Sequence, residues 1–409
     1  MAPRRLLFVS EKFPYPVDDG GQIRTYHLLK SLAAEFPVTL IGLAPPSPSD
    51  VAPIRELGVD VRVVGTRASS KVAQPWYLAQ ALFTRAPYPL RKNFSRAILA
   101  EIRRELATGT VGFLHMNQID AVQYVPLVEA KERGVRTVFD TLNVLTTMYQ
   151  RLAESTRDPL RKAYCVLQWQ KMFRFEQERM RGVDRVLVCS DVEASLLRTW
   201  GLSNVMLVPN GVDTAQFAPR ATPPARTDPR APGDRPFRLV FTGGMDYLPN
   251  QDGIRWFVTD VLPRIEARLP HVELCVVGKN PPAALTALAR PGRVVFTGRV
   301  DDVRPYTAGA DLFVVPLRIG GGTRLKILEA LSMRVPVAST TVGAEGLAVR
   351  AGHDLLIADT PEAFADAALE IARSPARGEE LADHGRELVL ARYDWKSVTA
   401  SLVEFYRTL

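Results

Sequence analysis

The stretch that decides the fold is GGGTRLKILEAL, Gly320 to Leu331, which directly follows the apolar run DLFVVPL, Asp311 to Leu317. An apolar run of this length, then three glycines, then apolar residues at helical spacing predicts a strand, a tight turn and a helix. Leu325, Leu328 and Leu331 recur on one face of that helix, which we expect to meet the core. This unit is typical of parallel α/β sheets.

The same segment is suited to binding an anion. Glycines let the backbone approach a ligand closely, and the free N–H groups and dipole at a helix start favour phosphate. We predict a diphosphate site built from Gly320, Gly321, Gly322, Thr323, Arg324 and Lys326. Thr323, Lys326 and Glu329 recur every three residues and should share a face. Glu329, one turn further on, is placed to accept two hydroxyl hydrogen bonds, as from a ribose.

The strand and helix rhythm extends along the whole chain. Apolar, strand-like runs occur at Arg5–Ser10, Val38–Leu43, Val59–Gly65, Gly112–Met116, Arg136–Asp140, Arg185–Ser190, Val205–Asn210, Arg238–Gly244, Val272–Gly278, Val294–Gly298 and Val335–Thr340. Strands this apolar are usually covered on both faces, and helical stretches separate most of them. The sequence therefore predicts an α/β protein with doubly wound parallel sheets.

The length of 409 residues exceeds what one hydrophobic core usually serves, so we expect two domains. The segment PRATPPARTDPRAPGDRP is rich in Pro and Arg and without periodicity, which is typical of a linker. We predict a first domain at 1–217, a linker at 218–236 and a second domain at 237–394. The final helix, about 395–409, can pack back on the first domain.

The net charge of +8 favours an anionic partner, such as a phosphate ligand, a nucleic acid or an anionic lipid surface. The sequence has neither a secretory signal nor a membrane-spanning run, so we expect a cytoplasmic protein. The three cysteines, Cys165, Cys189 and Cys275, have no metal-ligand spacing, and Cys189 and Cys275 lie in apolar, strand-like runs where we expect them to be buried.

Five stretches together resemble the retaining glycosyltransferases of the GT-B fold, family 4 (group 1), in the branch with a GGGTRxKxxEA signature. They are GGQIRTYHLLKSLA (Gly20 to Ala33), VPNGVDTAQFAP (Val208 to Pro219), TGGMDYLPNQDGIRWF (Thr242 to Phe257), GGGTRLKILEA (Gly320 to Ala330) and YDWKSV (Tyr393 to Val398). The resemblance implies two Rossmann-like domains that face a central cleft. It also implies transfer of a sugar from a nucleoside diphosphate to a hydroxyl acceptor, with retention and without a metal ion or other cofactor.

The resemblance also implies roles for individual residues. Glu329, Lys326, Arg324 and His115 become catalytic candidates, with His115 expected at a strand end beside the transferred sugar. The donor-binding candidates are Gly20, Gly21, Gly243, Gly244, Gly320, Gly321, Gly322, Thr323 and Glu329. Gly20 and Gly21 are expected in the first strand-to-helix loop, and Arg24 is either a cleft residue or a surface charge.

Two departures from the family pattern affect the donor site. Gly321 stands where a glutamate that contacts the sugar is usual, so the donor sugar stays open. The start of the second domain, GGMDYLPNQDG, contains no lysine or arginine for the diphosphate. We therefore expect Arg324 and Lys326 to supply that charge.

Alternatives remain for both function and location. A nucleotide-sugar epimerase or hydrolase of the same fold would show a clearer set of acid and base residues. A nucleic-acid-binding protein would show a recognisable module, and we expect no nucleic acid partner. The acceptor can be a sugar, a lipid-linked molecule or another hydroxyl compound. Two basic, aromatic stretches, Trp76–Arg96 and Arg161–Arg181, could contact the inner face of an anionic plasma membrane.

Overall fold

The structure is a computed structural model that describes residues 4–65, 84, 87, 88, 90, 94–156, 158–219, 235–320 and 322–409. The chain divides into two compact units, one of Met1–Pro209 with Thr399–Leu409 and the other of Asn210–Val398. Most of the predicted linker 218–236 and most of the stretch Trp76–Arg96 lie outside the described residues. The predicted site residue Gly321 also lies outside them.

The first unit is built on a parallel sheet with the strand order β3-β2-β1-β4-β5-β6-β7. The strands are β1 (Arg5–Ser10), β2 (Val38–Gly42), β3 (Asp60–Val63), β4 (Val111–Asn117), β5 (Arg136–Asp140), β6 (Arg185–Val188) and β7 (Val205–Leu207). The helices are α1 (Gly20–Ala33), α2 (Ala52–Arg55), α3 (Arg96–Ala107), α4 (Gln118–Val122), α5 (Leu127–Glu132), α6 (Leu145–Ser155), α7 (Pro159–Gly182) and α8 (Asp191–Thr199). A 3₁₀ turn at Pro48–Val51 precedes α2.

The second unit has a parallel sheet with the strand order β10-β9-β8-β11-β12-β13. The strands are β8 (Phe237–Thr242), β9 (Val272–Val277), β10 (Val294–Gly298), β11 (Leu312–Val315), β12 (Val337–Ser339) and β13 (Leu356–Ile357). The helices are α9 (Leu248–Trp256), α10 (Leu262–Glu266), α11 (Ala283–Thr286), α12 (Arg304–Ala308), α13 (Leu325–Ser332), α14 (Pro361–Arg373) and α15 (Pro375–Arg392). A π-helical turn, Phe257–Val261, joins α9 to α10.

The two predicted α/β domains with parallel sheets are confirmed. Central strands such as β1 and β11 are buried almost along their whole length, which is why they read as continuous apolar runs rather than alternating ones. The strand order changes direction at the first strand of each sheet, since β1 is flanked by β2 and β4 and β8 is flanked by β9 and β11. Polar groups at the carboxyl ends of those strands are therefore placed at a switch point, where α/β proteins bind ligands.

The boundary between the units falls earlier than the predicted end of the first domain at residue 217. Asn210–Phe217 belongs to the second unit, because Val212 N–H donates to the Tyr393 carbonyl at 2.8 Å and its carbonyl accepts from Trp395 N–H at 3.2 Å. These partners are 181 and 183 residues further along the chain. Local sequence gives no sign of such a pairing.

The last helix, α16 (Trp395–Thr408), begins in the second unit and ends in the first. Its Tyr406 is buried, and the Tyr406 hydroxyl lies 2.7 Å from His115 Nδ1 in β4. Arg407 forms an ion pair with Glu35 just after α1. The final eleven residues, Thr399–Leu409, thus complete the first unit.

Candidate active site

The turn between β11 and α13 contains the glycines from which the fold was predicted. Gly320 and Gly322 have φ angles of 127° and 80°. Arg324 is the residue before α13, with a non-helical ψ of 89°, so the helix begins at Leu325. Thr323 therefore lies in the turn, and the predicted helical face of Thr323, Lys326 and Glu329 is wrong for Thr323.

The apolar face of α13 is as the sequence predicted. Leu328 and Leu331 are fully buried, and Leu325 packs against the same core. This packing fixes the rotation of α13 about its axis. Lys326 and Glu329 are consequently left partly exposed on the side away from the core.

Lys326 reaches from α13 to the loop that follows β8. Its Nζ lies 3.3 Å from Asn250 Oδ1 and 3.9 Å from the centre of the Phe241 ring. An ideal Cβ at Gly243 would lie only 2.5 Å from Nζ, so a side chain at that position would displace the lysine. The structure thus brings together Lys326 and Gly243, whose sequence positions are 83 residues apart.

Asn250 and Phe241 are site residues that the sequence interpretation did not select. Asn250 is buried, and its Nδ2 donates to the Gly244 carbonyl at 2.8 Å, so its Oδ1 is oriented towards Lys326. Phe241 is a fully buried β8 residue that presents its ring face to the ammonium. Asn250 stood in the quoted GGMDYLPNQDG segment, whereas nothing distinguishes Phe241 from other strand residues.

The pKa values of the two charged groups at this site are both shifted towards neutrality. Loss of hydration, together with repulsion from Arg324, lowers the pKa of Lys326 to about 7. Loss of hydration also raises the pKa of Glu329 to about 7, although attraction to Lys326 opposes this. No hydrogen bond to the Glu329 carboxyl comes from the described residues, and the Lys326 ammonium donates to Asn250 with one of its three N–H groups, so both groups can bind a ligand.

Arg324 is largely buried and contacts the glycine turn itself. It is 8% exposed, and its Nη1 donates to the Gly322 carbonyl at 2.8 Å. An ideal Cβ at Gly320 would lie 2.7 Å from Nη2 and 3.6 Å from Pro249 Cβ in α9. The guanidinium therefore holds the glycine turn in shape and adds positive charge beneath it.

Gly20 and Gly21 belong to the first unit, and the structure corrects their predicted location. They form the first turn of α1 rather than a loop, because Asp19 caps that helix by accepting from Gln22 N–H at 3.0 Å. An ideal Cβ at Gly21 would lie 2.9 Å from Gln118 Nε2. A glycine here allows close approach of the chain that follows β4.

His115 is also corrected, because it lies inside β4 and not at its end. It is fully buried, its ring stacks on Phe8 with centroids 4.3 Å apart, and its Nδ1 pairs with the Tyr406 hydroxyl. Burial lowers the pKa of His115 to about 4, so the imidazole is neutral at physiological pH. The geometry gives His115 a place in the core, where it anchors α16.

Arg24 is buried in the first unit and is not a surface charge. It is 1% exposed, and its guanidinium makes a bidentate pair with Asp140, with Nη2–Oδ1 at 2.6 Å and Nε–Oδ2 at 3.0 Å. Nη1 donates to the Val208 carbonyl at 2.8 Å. This buried pair joins α1, β5 and the segment after β7.

Other sequence predictions concern cysteines, metals and membranes. Cys189 and Cys275 are buried free thiols, as predicted, and Cys165 is buried and free as well. Among the described residues no three His, Cys, Asp or Glu side chains are grouped to hold a metal ion. None of the described helices is long and apolar enough to cross a bilayer.

Comparison with known proteins identifies the family to which this geometry belongs. Residues 236–374 match the family described as "Glycosyl transferases group 1", and residues 19–211 match the "Glycosyl transferase 4-like domain". Together the two matches cover most of both units. The chain is a glycosyltransferase with a group 1 domain in its second unit.

Several relatives are similar to this glycosyltransferase. Phosphatidyl-myo-inositol mannosyltransferase of Mycobacterium leprae is 26% identical over 374 residues, 87% of this chain and 90% of the relative. GDP-mannose-dependent alpha-(1-6)-phosphatidylinositol monomannoside mannosyltransferase of Mycobacterium tuberculosis is 31% identical over 223 residues, 49% of this chain. That match spans only about half of the relative, 55% of its length.

A solved structure agrees on the fold. Sucrose-phosphate synthase of Thermosynechococcus elongatus aligns with a TM-score of 0.73 over 99% of this chain and 98% of that chain, at 20% identity. The predicted GT-B class and the predicted glycosyltransferase activity are confirmed. Neither an epimerase nor a nucleic-acid-binding protein is favoured.

Proposed function

We propose that this glycosyltransferase binds the diphosphate of a nucleotide sugar at the carboxyl ends of β8 and β11. The observation that carries the proposal is the position of Lys326, whose ammonium lies against Gly243 and Asn250 at the end of β8. Since Gly243, Gly244, Gly320 and Gly322 have no side chains, their backbones can be approached closely by phosphate oxygens. A cation beside exposed glycine backbone is the chemistry that a diphosphate requires.

Each further residue has a role that its position supports. Lys326 contacts the phosphate charge directly, and Arg324 adds charge from beneath the turn that contains Thr323. Glu329 lies about one helical turn beyond Lys326 on the exposed side of α13, where its carboxyl can accept hydrogen bonds from ribose hydroxyls. Gly321 leaves the sugar without a carboxylate contact from that position.

The resemblance to retaining enzymes supports a reaction at the front face of the sugar. The acceptor hydroxyl attacks the anomeric carbon, the bond to the diphosphate breaks on the same face, and the leaving phosphate oxygen takes the hydroxyl proton. Stabilisation of the departing diphosphate by Lys326, Arg324 and backbone N–H groups lowers the barrier without a protein nucleophile. We propose that no metal ion is needed, so turnover should persist in EDTA; its complete loss would contradict this.

The donor is tested by binding. GDP-mannose is the first candidate, because it is the donor named for the Mycobacterium tuberculosis relative. GDP-, UDP- and ADP-sugars are each titrated against the protein, with the rise in unfolding temperature as the readout. At least one should stabilise the wild type, and Lys326→Ala should abolish most of that shift. Lys396→Ala, an exposed lysine of the same unit, is the control.

Two outcomes would decide against the donor assignment. If no nucleotide sugar raises the unfolding temperature of the wild type, the proposed donor site is wrong. If one binds but Lys326→Ala binds it equally well and turns it over equally fast, the assigned role of Lys326 is wrong.

We further propose a lipid-linked hydroxyl acceptor and peripheral contact with an anionic membrane. α7 carries exposed bases at Arg161 and Lys162 directly after Leu160, whose side chain is among the most exposed apolar groups described, and a further exposed base at Arg174. Cys165, Met172 and Met180 of the same helix are buried. Binding to vesicles should therefore increase with their anionic lipid content. Vesicle binding that does not depend on the anionic lipid content would contradict the proposal.

A further inference from the structure

A second lysine lies at the same end of the sheet, on the other side of β8 from β11. Lys279 directly follows β9 and the residue Gly278. The ends of β8 and β9 interlock there, since Gly243 N–H donates to the Val277 carbonyl at 2.9 Å and Met245 N–H to the Lys279 carbonyl at 2.8 Å. An ideal Cβ at Gly278 would overlap the Gly243 carbonyl, so glycine is required. The Lys279 backbone is thus fixed beside Gly244.

The side chain of Lys279 extends over the second of the two glycines after β8. Its Cε lies 3.7 Å from an ideal Cβ at Gly244, whereas Lys326 Nζ occupies the equivalent space at Gly243. Consecutive glycines therefore have one lysine each, one from the β9 side and one from the α13 side. Lys279 is partly exposed and forms no ion pair with any described carboxylate.

The local charge balance favours a further cation at this position when a diphosphate binds. Asp246 Oδ1 lies 2.6 Å from an ideal Cβ at Gly244, so a carboxylate faces the same glycine. Arg318, another base beside α9, is committed to Asp252, with Nη2–Oδ1 at 2.7 Å. Because the pKa of Lys326 is lowered to about 7, Lys326 alone supplies only part of a positive charge at neutral pH.

We propose that Lys279 is a second diphosphate-binding residue, which contacts the donor from the β9 side while Lys326 contacts it from the side of β11. This inference rests on the proposed function of the same site. It assigns the recognition of the diphosphate to two lysines from different βα connections.

The experiment compares Lys279→Met with wild type for GDP, UDP and ADP, each with its monophosphate, by calorimetric titration. For whichever diphosphate the wild type binds, the variant should lose about tenfold or more in affinity, with a smaller loss for the monophosphate because it carries less charge. The difference in affinity between the wild type and Lys279→Met should become smaller as NaCl rises from about 0.05 M to about 0.5 M, since salt screens the attraction between the lysine and the phosphates. Lys279→Arg should retain most of the affinity. Lys396→Met, an exposed lysine in the same unit, should match the wild type.

The titrations distinguish a failure of the proposed function from a failure of the role assigned to Lys279. If the wild type binds none of the three diphosphates, the proposed function falls and this inference falls with it. If the wild type binds but Lys279→Met binds within about twofold of it, only the role of Lys279 is overturned. A loss that is independent of salt would show an effect on structure rather than charge, and would also overturn the proposal.

Discussion

At the scale of single residues, the protonation of Lys326 should control how the donor binds. Its pKa is lowered to about 7 in the free protein, chiefly by loss of hydration, and a bound diphosphate would raise it again. Affinity for a nucleotide sugar should therefore be highest and constant below about pH 7. Above it, affinity should fall about tenfold per pH unit until the pKa of the bound state is reached. Titration calorimetry between pH 6 and pH 9, in buffers of different ionisation enthalpy, measures both the affinity and the proton uptake.

The control for this pH dependence is Lys326→Met, which carries no titratable group. It should bind weakly, and it should lose the part of the pH dependence and of the proton uptake that comes from Lys326. Burial raises the pKa of Glu329 to about 7, so this carboxyl titrates in the same pH range as Lys326. Glu329→Gln removes the titration of the carboxyl and leaves that of Lys326. A wild-type affinity that stays constant to pH 9 would contradict the prediction.

The buried pair of Arg24 and Asp140 should contribute to stability in a charge-dependent way. Both side chains are about 1% exposed, so Arg24→Met leaves a carboxylate without its counter-ion in the core. We expect a loss of about 3–5 kcal/mol in the free energy of unfolding, measured by urea denaturation. The double variant Arg24→Met with Asp140→Leu should recover part of this loss, because no charge remains buried.

The matched control for that pair is Arg103→Met. Arg103 forms an ion pair with Glu129 at 2.7 Å, but its side chain is 54% exposed. Its loss should change the free energy of unfolding by at most about 1 kcal/mol. Equal effects of the two substitutions would argue against a special role for the buried pair.

At the scale of secondary-structure elements, local sequence predicted what local physics determines. β1, β5 and β10 were placed at their observed bounds, because short continuous apolar runs specify strands. β1 and β5 are almost fully buried, whereas β10 is a partly exposed edge strand. The predicted helix from Gln22 starts two residues earlier, at Gly20, because the Asp19 side chain caps it. α13 starts at Leu325, after Thr323, since the positive φ of Gly322 keeps the preceding turn out of the helix.

The start of α6 depends on a buried carboxyl group that should make stability depend on pH. Glu176 of α7 accepts from Leu145 N–H at 2.8 Å and from Thr146 N–H at 2.9 Å. Burial nevertheless raises the pKa of Glu176 to about 7. The folded protein therefore keeps this proton up to about pH 7, whereas the unfolded chain loses it near pH 4.5. The resulting stability is complete below about pH 4.5 and is lost as pH rises to about 7, with a limit of about 3 kcal/mol.

Glu176→Gln should remove this contribution while its amide oxygen still accepts from the start of α6. Urea unfolding of the variant should depend less steeply on pH between about 4.5 and 7 than that of the wild type. Glu178→Gln, an exposed carboxyl on the same helix, should keep the wild-type slope. If the free energy of unfolding depended on pH equally in all three proteins, the raised pKa of Glu176 would be contradicted.

At the scale of the whole molecule, the limits of sequence reasoning follow from contacts between distant positions. Lys326 could be selected because its glycine turn and helix are local. Arg24 and Asp140 are 116 residues apart, and His115 and Tyr406 are 291 apart. No local pattern distinguishes such residues from a surface arginine or a catalytic histidine. Their chemistry is decided by burial, which depends on which elements the tertiary fold brings together.

The last eleven residues should stabilise the first unit although they follow the whole of the second unit in sequence. Leu402 and Tyr406 are fully buried, and the Tyr406 ring contacts Phe36 and Phe113 with centroids 6.0 and 5.3 Å apart. Deletion of Thr399–Leu409 should therefore increase hydrogen exchange in β1 and β4, but leave β8 and β11 protected. Loss of this burial should cost on the order of 5 kcal/mol.

A milder change keeps this prediction testable if the shortened chain does not fold. Tyr406→Phe leaves His115 Nδ1 buried without its 2.7 Å partner, which should cost about 1–3 kcal/mol and raise exchange in β4 above that in β8. Glu404→Ala, an exposed change on the same helix, should leave exchange at the wild-type level in both strands. Unchanged protection of β4 in Tyr406→Phe would mean that the His115 contact does not stabilise the unit, and unchanged protection in the deletion would mean that α16 is dispensable to it.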